Sequence, residues 1–229
     1  MVKHALTSEM VVSITLRDGM HDFYAMFGDR LKAEQICDPA LDTAQYYPMK
    51  EMGQVDVGIG LISPRNFRAD CTAMTEENYL DMIQRLVTFC REKKLSFELF
   101  TNGEVDDDAF AAKVASMCCC KEQVAKRPKS AEELIATIVR YQRIVSFRLH
   151  SHIIATSYGI PTVGLVWDKK VEEFFHLLHR DQYIVHLDER YSANNLLKTM
   201  DAMIQDERLV CRPNLRSSKE NLTEILRGI

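Results

Sequence analysis

Apolar and polar positions along the chain change period repeatedly, and these changes predict alternating strands and helices. The first fifty residues are irregular. They predict a β-branched strand over residues 11–16, a short helix over 21–27 closed by Gly28, and a strand over 31–37 that stops at Asp38-Pro39. Residues 40–53 have no clear period and are predicted to be a connector.

From residue 55 onward the alternation is regular. Compact apolar runs predict strands over residues 55–62, 97–100, 144–147, 161–166 and 183–186. Patterns of helical period predict helices over residues 75–94, 107–118, 134–139, 150–158, 170–179, 193–204 and 219–226. Thr75 is the expected N-cap of the first of these helices, and the capping box Ser130 to Glu133 precedes the third.

Strands that alternate with helices across short connections predict a parallel sheet covered by helices on both faces, which is a Rossmann-like α/β fold. We assign this sheet to residues 54–229 and treat residues 1–53 as a separate segment with a connector. Ligands of such sheets bind outside the carboxyl ends of the strands. The positions that directly follow predicted strands are Arg17, Pro64-Arg65, Asn102-Gly103, Arg148 to His150, and Asp168.

Arg148 and His150 carry the strongest chemical signal because they leave a strand just as the next helix begins. A helix start offers unpaired backbone N–H groups, here expected around Ser151 and His152, and the positive end of the helix dipole. A guanidinium beside it suits a phosphate or a carboxylate, and a histidine can serve as a general acid near neutral pH. The alternative is that His150 caps the helix and Arg148 pairs with a surface carboxylate.

Other candidates also have structural interpretations. Asp168 is placed to cap the next helix, whereas Lys170 could reach the cleft as a cation. Arg17 either forms a surface pair with Asp18 or supplies a second guanidinium. His152 is interpreted as a core histidine. The acidic run Asp106 to Asp108 is interpreted as a helix N-terminus, where carboxylates suit the dipole.

Composition narrows the function classes. The net charge is −4, which does not favour a general nucleic-acid binder. No long apolar run predicts a membrane span, and the first residues lack the apolar core of a secretory signal peptide. The sequence contains no dinucleotide-binding glycine fingerprint, no Walker A motif and no nucleophile elbow, so NAD, ATP and serine-hydrolase functions lack support.

Cysteines and histidines do not predict a metal site. None of the seven cysteines forms a C-x-x-C pair, and they are expected to be reduced thiols of a cytoplasmic protein. His176 and His179 lie three residues apart, but no third ligand is evident, so a solvated or packed helix face is the expected arrangement.

Several segments together resemble the polysaccharide pyruvyl transferase family. The resemblance rests on Arg148-Leu149-His150, on Gly159-Ile160-Pro161 at a strand entry, and on Trp167-Asp168-Lys169-Lys170. A second stretch, Ser13 to Asp18 followed by Asp38-Pro39-Ala40, is similar to the family's S-x-R-D and D-P-A region.

The resemblance implies the C-terminal half of a GT-B-like fold. It implies an enzyme of surface or exopolysaccharide biosynthesis that transfers a pyruvyl group from phosphoenolpyruvate to a pair of sugar hydroxyls, forming a ketal. Phosphoenolpyruvate is then a substrate, and no cofactor is expected. His150 and Arg148 would be catalytic, and the substrate would be bound by Arg17, Arg148, His150, Ser151, Asp168 and Lys170.

The resemblance also sets expectations about partners. The acceptor would be a sugar or glycan, nucleotide- or lipid-linked, handled in the cytoplasm or at the inner face of the membrane. The resemblance implies that residues 1–53 are a remnant of the family's N-terminal domain with a connector, and that residues 54–229 are its C-terminal domain. Most of the N-terminal domain has no counterpart in this sequence, so we expect either a separate N-terminal half or self-association. The alternatives are a GT-B glycosyltransferase domain that uses a nucleotide sugar and a non-catalytic domain of the same fold.

Overall fold

A computed structural model of the chain describes residues 5–17, 19–49, 52–67, 74–187 and 192–206. Contacts divide these residues into two compact units, one up to Asp42 and a larger one from Thr43 onward. The predicted helix over residues 219–226 lies outside the described residues.

The smaller unit holds a short parallel pair of strands, β1 (Thr15–Leu16) and β2 (Glu34–Gln35), with helix α1 (Met20–Phe27) between them in the chain. The α1 helix agrees with the prediction. The two strands are much shorter than the predicted 11–16 and 31–37, and Val12 in the apolar run is 67% exposed. β-branched composition favours a strand only where a neighbouring strand pairs with it, so the apolar run overstated the strand length.

The larger unit alternates strands and helices as predicted. Its elements are α2 (Thr43–Tyr46), β3 (Val55–Gly60), α3 (Glu76–Glu92), β4 (Phe97–Phe100), α4 (Val105–Met117), α5 (Ala131–Ile138), β5 (Tyr141–Ser146), α6 (Leu149–Ser157), β6 (Thr162–Val166), α7 (Lys169–Leu177), β7 (Ile184–His186) and α8 (Ser192–Gln205). The five strands from β3 to β7 form one parallel sheet in the order β4-β3-β5-β6-β7.

The strand order places helices on both faces of the sheet. The chain moves from β3 outward to β4, then returns past β3 to β5 and continues to β7. Because crossovers between parallel strands are right-handed, α3 covers one face, and α5, α6 and α7 cover the other. Helix α8 packs against α3. The predicted Rossmann-like α/β fold is confirmed, and its switch point lies between β3 and β5.

Local signals in the sequence predicted where two helices begin, whereas one helix ends earlier than predicted. Thr75 Oγ1 accepts from the Asn78 backbone N–H at 3.2 Å, and Ser130 Oγ accepts from that of Glu133 at 3.3 Å, so both predicted N-caps are confirmed. His179 has a φ of 54°, and this left-handed residue terminates α7 before the predicted end.

Residues 43–49 and 52–53 belong with the sheet unit. The Ala44 N–H donates to Ser157 Oγ at 2.8 Å, and the Gly53 N–H donates to the Val139 carbonyl at 3.0 Å. The boundary between the compact units therefore lies within the predicted connector, between Asp42 and Thr43. The predicted domain boundary after residue 53, which came from the family resemblance, stays a prediction.

The core lies on both sides of the central strands. Ile59 of β3, Val145 of β5 and Leu165 of β6 are fully buried, as expected for a parallel sheet with two covered faces. None of the helices that the structure describes has both the length and the apolar character required to cross a membrane.

Candidate functional site

The carboxyl end of β5 is anchored on both sides before Arg148 leaves the sheet. Phe147 is fully buried, with its ring centroid 4.8 Å from that of Tyr79, and its carbonyl accepts from Trp167 Nε1 at 2.5 Å. Ser146 Oγ accepts from the Arg148 N–H at 3.1 Å. Since side chains alternate along a strand, the burial of Phe147 turns Arg148 to the other side of the chain.

Gly60 makes room for this arrangement. It pairs with Ser146 across β3 and β5, and a Cβ atom at Gly60 would lie 2.4 Å from Ser146 Oγ. Any larger residue would displace the hydroxyl that receives the Arg148 N–H. The glycine is thus required by close approach at the switch point.

Arg148 is held by Asp107, a residue that the sequence analysis assigned only to a helix N-terminus. Asp107 has no exposed surface, and its Oδ2 accepts from Arg148 Nε at 3.1 Å and from Nη2 at 2.5 Å. Its Oδ1 accepts from the Ser63 N–H at 2.7 Å and from Asn66 Nδ2 at 3.1 Å. The carboxyl ends of β3 and β5 therefore meet at one buried carboxylate. Arg148 is not the surface pair that was considered as the alternative.

The signal that could have singled out Asp107 was its helical phase. Asp107 precedes Phe110 and Ala111 by three and four residues, and both are buried, whereas Asp106 is exposed. On a helix these spacings share a face. Ser63 and Asn66 gave no comparable signal, because their contacts with Asp107 join segments that are far apart in sequence.

His150 lies in the first turn of α6 and is exposed. Within the described part of the chain, its imidazole has no hydrogen-bond or ion-pair partner. The helix begins at Leu149, one residue before the predicted start, so its first N–H groups are those of Leu149 and His150. The Ser151 N–H, predicted to be unpaired, donates instead to the Arg148 carbonyl at 3.0 Å.

Ser151 ties the start of α6 to the loop after β4. It is fully buried, and its Oγ donates to Asn102 Oδ1 at 2.8 Å. The structure therefore brings together three of the predicted strand ends, those of β3, β4 and β5. The predicted substrate-binding role of Ser151 stays a prediction.

The end of β6 supplies the next two candidates. Asp168 Oδ1 accepts from the Lys170 N–H at 3.0 Å and caps α7, as the structural interpretation expected. Lys170 is exposed, and its ammonium has no ion-pair partner among the described residues. Both belong to the carboxyl edge of the same sheet, and their substrate-binding role stays a prediction.

Arg17 lies in the smaller unit and is paired there. Its Nη1 lies 2.7 Å from Asp38 Oδ2, and Asp38 Oδ1 accepts from the Ala40 N–H at 2.9 Å. Asp18, the partner suggested by sequence, lies outside the described residues. The proposed role of Arg17 in holding substrate stays a prediction.

No group of three or more histidine, cysteine or acidic residues suited to a metal ion occurs within the described ranges. His176, one of the two histidines considered, contacts Asp181 through Nδ1 and lies 3.6 Å from Glu172. Cys90, Cys118, Cys119 and Cys120 are free thiols.

His152 is a core histidine, as the sequence suggested. It is fully buried, its Nε2 donates to the Ser146 carbonyl at 2.9 Å, and its ring meets that of Phe175 edge to face. Burial lowers the pKa of His152 from 6.5 to about 4, against a smaller opposing effect of the bond to Ser146.

This pKa predicts a loss of stability in acid. The folded-state pKa lies below the unfolded value, so between pH 6.5 and 4 the unfolded chain binds the extra proton. The free energy of unfolding should fall by about 3 kcal/mol across this window. Urea titrations of the wild type and of His152→Gln, whose amide can still donate to Ser146, measure the effect. A variant with the same pH slope as the wild type would contradict the assignment.

Comparison with solved structures supports the fold. A 2.2 Å structure described as a putative UDP-N-acetylglucosamine 2-epimerase from Listeria monocytogenes is similar with a TM-score of 0.58 and 11% sequence identity. The match covers 83% of this chain and 52% of that one, so this chain spans about half the length of its neighbour. At this identity the likeness shows the fold alone. No curated protein matches the sequence significantly.

A family model gives the more specific result. The model described as polysaccharide pyruvyl transferase matches residues 20–169. The matched span includes the carboxyl ends of β3, β4 and β5, the Asp107–Arg148 pair, and Asp168. The chain therefore belongs to the polysaccharide pyruvyl transferase family, a family of transferases.

Proposed function

We propose that the chain takes part in pyruvyl transfer from phosphoenolpyruvate to a pair of sugar hydroxyls, forming a ketal during surface-polysaccharide biosynthesis. The proposal rests on the neighbouring positions of Arg148, whose guanidinium is held by Asp107, and His150, whose exposed imidazole has no partner among the described residues. Both stand at the N-terminus of α6, beside the switch point of the sheet. Family membership supplies the reaction class.

Anion binding follows from the charges at this edge. Phosphoenolpyruvate carries a phosphate and a carboxylate. The first N–H groups of α6 and the Arg148 guanidinium can donate to one of them. Lys170 adds an exposed ammonium at the neighbouring strand end. Arg65, exposed in the turn that also holds Asn66, adds a guanidinium beside the end of β3.

The proposed chemistry begins with protonation of the enol carbon. His150 gives a proton to the methylene carbon of phosphoenolpyruvate, and the carbon that bears the phosphate becomes oxocarbenium-like. A sugar hydroxyl attacks this carbon and loses its proton. The bond to phosphate then breaks with its electrons on the phosphate oxygen. A second hydroxyl attacks the same carbon and gives its proton to the departing phosphate, which completes the ketal. Cationic donors around the substrate stabilise the charge that develops.

The acceptor is proposed to be a sugar or glycan, either nucleotide- or lipid-linked. Such acceptors place the reaction in the cytoplasm or at the inner face of the membrane. We propose that a further domain, or a second copy of the chain, completes the acceptor side. The sheet edge described above accounts only for the donor.

Binding of phosphoenolpyruvate to the wild-type protein tests the proposal. Trp167 is the single tryptophan of the chain, and its indole donates to the Phe147 carbonyl next to Arg148. Saturable binding should therefore change the intrinsic fluorescence, and calorimetry should give the same dissociation constant. Trp167→Phe, which removes the indole, should abolish the fluorescence change, and calorimetry of this variant measures how much of the binding depends on the indole.

Three ligands separate the candidate functions. Phosphoenolpyruvate should bind, and a UDP-sugar alone should leave Trp167 unchanged. Binding of the UDP-sugar without phosphoenolpyruvate would replace the proposal with the glycosyltransferase alternative. Binding of neither, including with a glycan acceptor present, would favour the non-catalytic domain.

A further inference from the structure

Asp107 is a buried carboxylate that contacts two other segments of the chain. It lies in the first turn of α4 with no exposed surface, and its two oxygens accept from four donors on Ser63, Asn66 and Arg148. A buried carboxylate is costly unless it is paired and hydrogen-bonded, and here both oxygens are. The neighbouring Asp106 is exposed and makes none of these contacts.

The contacts divide the guanidinium of Arg148 into a held side and an open side. Nε and Nη2 both donate to Asp107 Oδ2, whereas Nη1 has no partner among the described residues. The Arg148 side chain is 23% exposed, so the open side can meet solvent or ligand. Because the guanidinium is planar, holding two of its nitrogens fixes the direction of the third.

We propose that Asp107 is a positioning residue for the donor site. It fixes the Arg148 guanidinium so that Nη1 faces the anion before the anion arrives. Preorganisation of this kind removes the entropy that a free arginine side chain would lose on binding. The identity of the anion as phosphoenolpyruvate rests on the proposed function. The position of the Arg148 guanidinium against Asp107 is independent of that function.

The same carboxylate sets the charge of the site. Asp107 compensates the charge of Arg148, so a ligand that carries both a phosphate and a carboxylate needs further cations. Arg65 lies between Ser63 and Asn66, in the turn that also donates to Asp107. Through its contacts with Ser63 and Asn66, Asp107 holds the turn that carries Arg65, whose side chain is exposed.

NMR of arginine Nε–H groups tests the geometry without a ligand. In the wild type, the Arg148 Nε–H signal, assigned by its loss in Arg148→Lys, should exchange with water on the order of tenfold more slowly than that of Arg65. Asp107→Asn should remove the protection, and Asp106→Asn, which deletes the same charge from the same helical turn, should not. Exchange of Arg148 as fast as that of Arg65 in the wild type would overturn the proposal even if Asp107→Asn does not fold.

A double-mutant cycle tests the effect on binding. Asp107→Asn should weaken phosphoenolpyruvate binding about ten- to a hundredfold at unchanged calorimetric stoichiometry, and Asp106→Asn should leave it unchanged. In the Arg148→Lys background, Asp107→Asn should add little further loss, because it acts through Arg148. Additive losses, or reduced stoichiometry with an unchanged dissociation constant, would mean a merely structural role. A wild type that binds no phosphoenolpyruvate refutes the proposed function, while the exchange rates still decide whether Asp107 positions Arg148.

Discussion

Replacing Arg148 with leucine is expected to abolish phosphoenolpyruvate binding and to lower the free energy of unfolding by about 3 kcal/mol. The binding loss follows from removal of the guanidinium at the start of α6. The stability loss has a separate cause. The carboxyl group of Asp107, which has no exposed surface, would lose its cationic partner, and its oxygens would retain only the neutral donors of Ser63 and Asn66.

Calorimetric titration and urea unfolding measure the two effects separately. The double variant Arg148→Leu with Asp107→Asn should recover part of the lost stability, because the unpaired charge is gone, but it should not recover binding. Arg140→Leu is the matched control. Arg140 pairs with Glu98 at 3.2 Å but is 41% exposed, so its loss should cost about 1 kcal/mol or less. Wild-type binding by Arg148→Leu would refute the assigned site.

Replacing Tyr79 with alanine is expected to lower the free energy of unfolding by about 4 kcal/mol. The side chain is fully buried in α3, and its ring centroid lies 4.9 Å from that of Phe110, 4.8 Å from that of Phe147 and 5.3 Å from that of Phe67. Alanine would leave a cavity below the strand exit from which Arg148 emerges. Anion binding should therefore weaken as well.

The hydroxyl of Tyr79 contributes separately from its ring. It donates to the Ile62 carbonyl at 3.1 Å and accepts from the Ile62 N–H at 3.3 Å. Tyr79→Phe leaves both groups buried without this partner and should cost about 1–2 kcal/mol. Phe89→Ala, on the same helix but partly exposed, should cost less than Tyr79→Ala. Equal losses for the alanine variants would show that the aromatic cluster is not the centre of this core.

The sequence determined the alternation of strands and helices beyond residue 55. It did so because burial of both sheet faces requires compact apolar runs, and each helix requires one apolar stripe. It also determined Thr75, Ser130 and Asp168 as caps, since capping depends on residues within three or four positions of each other. The strand ends, and with them Arg148, His150 and Lys170, followed from the same patterns. The short pair β1 and β2 was overestimated, because strand length depends on a partner that the local sequence does not reveal.

Only the tertiary structure decided which contacts each strand-end residue makes. Sequence could not choose between Arg148 as an anion ligand and as a surface pair, and the structure gives it a buried carboxylate from α4. The structure likewise joins Ser151 to Asn102, and the imidazole of His150 has no partner among the residues that it describes. These contacts connect residues that lie about forty to fifty positions apart. The register of a parallel sheet and its crossover order create such contacts, and no local periodicity encodes which strand ends will meet.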